Sequence, residues 1–157
     1  MDRKVIEQYA SGGEKLSMAI RGLTSDDLHA VPVPGKWSTH QVVIHLADAE
    51  AAFADRMKRV IATDNPSLLA WDENQFAANL HYHEQDAQDA VKLIDLTRRQ
   101  MARVLRKLPD AAFQRAGTHN EVGRLTLEQL VTKANSHLDH HLHFIYEKRE
   151  KLGKSMW

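Results

Sequence analysis

Ten of the 157 residues are histidine, where about three or four would be usual for a chain of this size. Four of the ten fall in the run His137-Leu138-Asp139-His140-His141-Leu142-His143. On a helix, His137 and His141 share a face because they are four residues apart. That face is also the apolar one, since Leu127, Leu130, Ala134, Leu138 and Ile145 fall on the same arc. His140 and His143 point to the opposite side, towards Glu147. The chain has no cysteine, which excludes disulfides, cysteine nucleophiles and thiolate ligands. Any transition-metal site must therefore be built from imidazole and carboxylate.

An inward imidazole pair needs partners for its polar nitrogens, and a divalent metal with a third ligand from a facing helix supplies them. His45 is the candidate third ligand. It lies one turn inside an earlier helix and flanks the arc of Val42, Leu46, Ala49 and Phe53, with Ala49 and Ala52 leaving room beneath it. A zincin is not expected, because Leu138 rather than glutamate follows His137. Spacing alone leaves two readings open, a metal site and a set of packed core histidines. The histidines at 29, 40, 81, 83 and 119 show no ligand spacing.

Four long segments with helical periodicity must position these residues, and none shows sustained two-residue alternation. The first spans residues 3–21, with Ile6, Tyr9, Leu16, Ala19 and Ile20 apolar and a bend expected at Gly12-Gly13. The second starts at Ser38, where Ser38 and Gln41 have capping-box spacing, and ends at Asp64-Asn65-Pro66. A short extra helix is expected from Trp71 to Leu80. The third long helix covers residues 85–107, with Val91, Ile94, Leu96, Met101, Val104 and Leu108 as its apolar positions. The fourth begins at Thr126, with Gln129 completing a second capping box, and runs to Lys151. The expected architecture is all-α, an antiparallel four-helix bundle with the short helix between its second and third long helices, in one domain over residues 1–157. The segments at 35–43 and 123–131 also match each other in residue type at most positions, which leaves open either two good helix starts or two helix pairs related by a pseudo-two-fold.

Composition narrows the function. Lysine plus arginine and aspartate plus glutamate both number 21, so the formal charge is zero. A nucleic-acid binder would show a basic excess, and neither nucleic acid nor an anionic membrane surface is an expected partner. No apolar run is long enough to span a bilayer, and the charged first residues are unlike a signal peptide. A cytoplasmic location is expected. A chain of this length folds without a metal, so a metal here would be functional rather than structural.

The run Gly35-Lys36-Trp37-Ser38-Thr39-His40-Gln41-Val42-Val43-Ile44-His45-Leu46-Ala47-Asp48-Ala49-Glu50 resembles the first signature of the DinB/YfiT-like superfamily. The run Gly123-Arg124-Leu125-Thr126-Leu127-Glu128-Gln129-Leu130, followed by His137, His140, His141 and Ile145, resembles the second. The link at Trp71-Asp72-Glu73 is similar to the YfiT-type branch, and the likeness spans nearly the whole chain in order. It implies a four-helix bundle holding a divalent metal on three histidines, which here are His45, His137 and His141. One departure is Phe144, where the family usually has glutamine before the isoleucine.

Three neutral imidazoles leave a coordination position open, as in catalytic rather than structural sites. Zinc is the expected ion, and imidazole also suits nickel. Two enzyme classes follow: metal-dependent hydrolysis of a small molecule, and transfer of a low-molecular-weight thiol of the bacillithiol or mycothiol type. A non-catalytic, metal- or ligand-binding bundle is the third possibility, and relatives of this fold lead to the expectation of a homodimer. The candidates for a catalytic base are Asp72, Glu73 and His119, which lie in connections able to reach the metal end. Glu50 and Arg56 are further polar candidates on the second helix.

Overall fold

The computed structural model describes residues 1–156. Four bundle positions are filled by α1 (Lys4–Ala10) with α2 (Gly12–Ile20), then α4 (Thr39–Ala62), α6 (Ala87–Lys107) and α7 (Leu127–Lys151). The short α3 (Ser25–His29) and α5 (Glu73–Asn79) lie in the connections. Helix α4 packs on α6 and α7, and α1 and α2 close the bundle against the same two helices. The result is the expected all-α bundle with a short helix between its second and third long helices.

The starts of α4 and α7 are set locally. Ser38 accepts from the Gln41 N–H while the Gln41 side chain accepts from the Ser38 N–H, and Thr126 and Gln129 do the same. Each box satisfies two N–H groups that the helix itself leaves unpaired. Helix α6 begins on the Asp86 carboxylate, which accepts from the Asp89 N–H.

The first segment is two helices rather than one. Ser11 separates α1 from α2 while its N–H still donates to the Glu7 carbonyl and its carbonyl accepts from the Lys15 N–H, and α2 begins with Gly12 and Gly13, both buried. A Cβ on Gly12 would lie 2.1 Å from the Arg98 guanidinium. The glycines therefore serve a close approach to α6, which outweighs their helix-weakening tendency of about 1 kcal/mol each.

A small sheet was not expected. Strands β1 (Ser67–Leu68), β2 (Ala116–His119) and β3 (Gly123–Thr126) form it, with β1 parallel to β2 and β2 antiparallel to β3. Leu68 pairs with His119, and Ala116 with Thr126. Strands of two to four residues are too short for a two-residue alternation to register. Gly117 is required here, because a Cβ would stand 2.7 Å from the Pro66 carbonyl oxygen. The lead-in to α7 is thus a strand, unlike the turn before α4.

Two apolar clusters fill the bundle. One gathers Leu16, Val43, Leu46, Ile94, Leu138 and Leu142, and the other Ile6, Met57, Met101, Leu105, Leu127 and Leu130. Each fully buried residue of this type contributes roughly 1.5–3 kcal/mol. Leu96 and Val104, expected on the apolar face of the third helix, are exposed instead. Arg98, Ala102 and Leu105 occupy the inward positions, because the burying stripe of α6 is rotated from the one its largest residues suggest.

Candidate metal centre

Between the two apolar clusters lies a polar layer. Arg98 on α6 donates from Nε to Glu50 Oε2 on α4 at 2.6 Å, with both side chains buried. The Tyr9 hydroxyl donates to the other Glu50 oxygen. Arg98 also donates to the Ala134 carbonyl of α7 at 3.0 Å and to the Tyr9 carbonyl at 3.4 Å. Four bundle elements are thereby joined at one level. Burial, followed by the Glu50 charge, pushes the Tyr9 phenol far up, so it stays a donor.

Three histidines converge beside this layer. His45 comes from α4, and His137 and His141 from successive turns of α7. The ring centroids are 5.1 Å apart for His45 and His137, 4.7 Å for His45 and His141, and 4.6 Å for His137 and His141. One ring nitrogen of each lies within 4.8 Å of one from both others. His45 Nε2 faces His137 Nε2 at 3.2 Å.

Burial draws all three well below the ordinary histidine value. His45 falls to about 4 through burial and then His137, and His137 to about 4 through burial, His140 and Arg98. His141 falls to about 3 through burial and then the other two rings. All three are consequently neutral at pH 7, the form in which imidazole binds a metal. A folded-state value below the exposed value of 6.5 means stability that is present above pH 6.5 and lost as the pH falls towards 4 and 3. The metal-free protein should therefore melt at progressively lower temperature from pH 7 to pH 4, and more steeply than a His141→Leu variant. Parallel slopes in thermal melts of the two would contradict the burial of a neutral ring there.

The residues fit a divalent ion. Zinc–nitrogen bonds of about 2.0–2.1 Å in a tetrahedron place nitrogens roughly 3.3–3.4 Å apart, close to the 3.2 Å between His45 and His137. His141 Nδ1 is buried with no protein partner, a polar atom that a cation would satisfy if this nitrogen faces it. His45 Nδ1 is likewise unpartnered, so the carboxylate or carbonyl that usually orients a ligating imidazole is not supplied to it by the protein. Packing takes over that task. The Trp37 and Trp71 rings lie 5.1 and 5.5 Å from the His45 ring, and Phe53 lies 5.8 Å from His137.

The sequence profile of the DinB superfamily matches residues 8–145. The chain belongs to the DinB superfamily. Among similar proteins, "Putative metal-dependent hydrolase YfiT" of Bacillus subtilis is 27% identical over 142 residues, covering 90% of this chain and 80% of that one. "Putative metal-dependent hydrolase OB0782" of Oceanobacillus iheyensis is 26% identical over 127 residues, covering 81% of this chain and 73% of that one. The solved structure of YfiT from Bacillus subtilis, described as a probable metal-dependent hydrolase with an unusual four-helix bundle topology, superposes with a TM-score of 0.90. Its identity is 26%, with 97% of this chain and 87% of that chain covered.

Within this DinB fold the remaining sequence candidates separate. The Glu73 carboxylate at the start of α5 lies 3.8 Å from His45 Nε2. Asp72 is the cap of α5, its carboxylate accepting from the Asn74 and Gln75 N–H groups. His119 is buried in β2 and accepts from the Glu121 N–H, with Arg56 and Glu121 as its charged neighbours. Arg56 donates to the Leu69 carbonyl and ties the β1 connection to α4, while Glu50 holds the ion pair. His140 and His143 are exposed, as their helix positions require. His40 is a buried ring stacked on His29 at 4.2 Å and bonded to the Tyr82 carbonyl at 3.1 Å. Spacing signalled neither Trp37 nor the Glu50–Arg98 pair, although Trp37 stands immediately before the Ser38 cap, where an apolar residue commonly fixes helix entry.

Proposed function

We propose that this chain is a metal-dependent hydrolase of a small-molecule substrate, with zinc held by His45, His137 and His141. The observation that carries the reading is the convergence of three neutral imidazoles, one of which, His141, lines a cleft of about 350 Å³. Among the described residues this cluster has three donors and no fourth, the donor count of open, catalytic sites. A divalent ion bound there would supply Lewis acidity, polarising a substrate carbonyl and making an attacking water acidic near neutral pH.

The chain's own groups do the rest. Trp37 and Trp71 wall the His45 side and keep bulk water from it. Glu73 Oε2 accepts the proton of the attacking water and returns it to the leaving oxygen or nitrogen as the acyl bond breaks. Its half-exposed position at the start of a short helix allows that exchange.

Glu73→Gln should retain bound zinc and lose about 10²–10⁴ in ester turnover, the usual contribution of a positioned base. Assay of zinc-loaded protein on an ester and amide panel, with and without a low-molecular-weight thiol, tests the reaction class. Turnover without thiol is expected. Turnover that requires the thiol would replace hydrolysis by thiol transfer.

A further inference from the structure

Lys148, in the last turn of α7, is only 4% exposed, and its side chain lines the cleft that His141 also lines. Its ammonium makes no hydrogen bond or ion pair with any described residue, and it lies over the Phe144 ring, 5.7 Å from the centroid. Glu147 on the same helix attracts it only at longer range. A cation held largely out of water, with a carboxylate only at longer range, is unfavourable, and the weak attraction of a helix C-terminus does not offset that cost. Lys36 lines the same cleft and adds a second positive charge. The carboxylates facing the cleft are Glu73 and Glu147, which together balance the two lysines. With a dication on three neutral imidazoles, the cleft would carry the net charge of that ion, and the Lys148 ammonium in its wall has no carboxylate in direct contact.

We propose that Lys148 anchors an anionic group of the substrate, and that the cleft takes small organic carboxylates. The apolar body of such a molecule lies between Trp37 and Phe144, with Val42 beneath it, and its carboxylate meets the Lys148 ammonium. The scissile bond is then held at the His141 end, where hydrolysis is placed. This assignment of substrate class rests on the hydrolase reading, and its own test is separable from that reading. Lys148 acts by charge-assisted hydrogen bonding, so removing it costs affinity for the anion and leaves affinity for an uncharged analogue alone.

The experiment titrates the full chain, metal-free and zinc-loaded, with phenylacetate and with phenylacetamide, followed by calorimetry. Phenylacetate is expected to bind more tightly than the amide. Lys148→Met should weaken phenylacetate about ten- to a hundredfold, in both metal states, with phenylacetamide unchanged and bound zinc retained. Lys148→Arg should keep most of the anion affinity, and a thermal melt confirms that both variants fold. Unchanged phenylacetate affinity in Lys148→Met, together with loss of binding on metal removal, would overturn the anchor and leave the metal as the holder of the anion. Lys148-dependent binding in a protein without zinc or ester turnover would keep the anchor and overturn the hydrolase reading instead.

Discussion

Replacing Glu50 by alanine is expected to destabilise this protein by about 3–5 kcal/mol, the cost of leaving one charge of a buried pair uncompensated. Arg98 would remain 2% exposed between two apolar clusters with no carboxylate to meet it. Tyr9 would lose its acceptor as well. For a chain of 157 residues, each kcal/mol corresponds to roughly 2–4 °C of melting temperature, so a drop of about 10 °C is expected. Tyr9→Phe removes one hydrogen bond and should cost about 1 kcal/mol. The pair as a whole need not be stabilising. A double Glu50→Leu, Arg98→Met variant should recover the part of the loss that comes from the uncompensated charge, though not the Tyr9 acceptor, because apolar replacement of a buried pair is often neutral or better. Urea melts of the single and double variants check this, and a Glu50→Ala loss under 1 kcal/mol would contradict it. The double variant also separates structure from function. Arg98 donates to the Ala134 carbonyl, one turn before His137, so the recovered fold should still hold α7 less firmly at the histidines.

The second large effect concerns the metal. His45→Ala, His137→Ala and His141→Ala should each weaken zinc binding by more than about a hundredfold, beyond the 10–100-fold typical of outer partners of a ligand. His140→Ala and His143→Ala should bind as the parent does, since both rings are exposed. Zinc at about a hundred times its dissociation constant should stabilise the parent by roughly 2.7 kcal/mol. The same addition should leave the melting temperatures of the three inward variants unmoved. Equilibrium dialysis with metal analysis measures the affinities, and thermal melts measure the stabilisation. A full zinc complement in the His137 variant would be incompatible with the proposed site.

Much of the bundle was legible because its signals are local. Ser38 with Gln41 and Thr126 with Gln129 mark helix starts by their spacing, and both boxes are present. His137 and His141 could be placed inward because Leu130, Ala134, Leu138 and Ile145 share their arc and are buried. His45 follows from the same reasoning on α4, where it is 1% exposed. What was not legible depends on contacts between distant segments. Gly12 looks like a weak point in a helix until Arg98, on another helix, fills the space beside it. Glu50 stands out in the sequence only as a polar candidate for the site and Arg98 not at all, since nothing near either residue in the chain announces a partner 48 positions away. Strand β2 is Ala-Gly-Thr-His, with no apolar alternation, and it exists only because β1 and β3 pair with it. Leu96 and Val104 show the converse error, large apolar residues read as inward that the packing of α6 turns outward.

Zinc-edge anomalous diffraction from crystals of the zinc-loaded protein tests the central claim most directly. One peak is expected, within bonding distance of a ring nitrogen of His45, of His137 and of His141, with a remaining coordination position facing the cleft beside Trp37. A peak bound elsewhere, or one whose coordination is closed by a fourth protein side chain, would contradict a catalytic three-histidine centre.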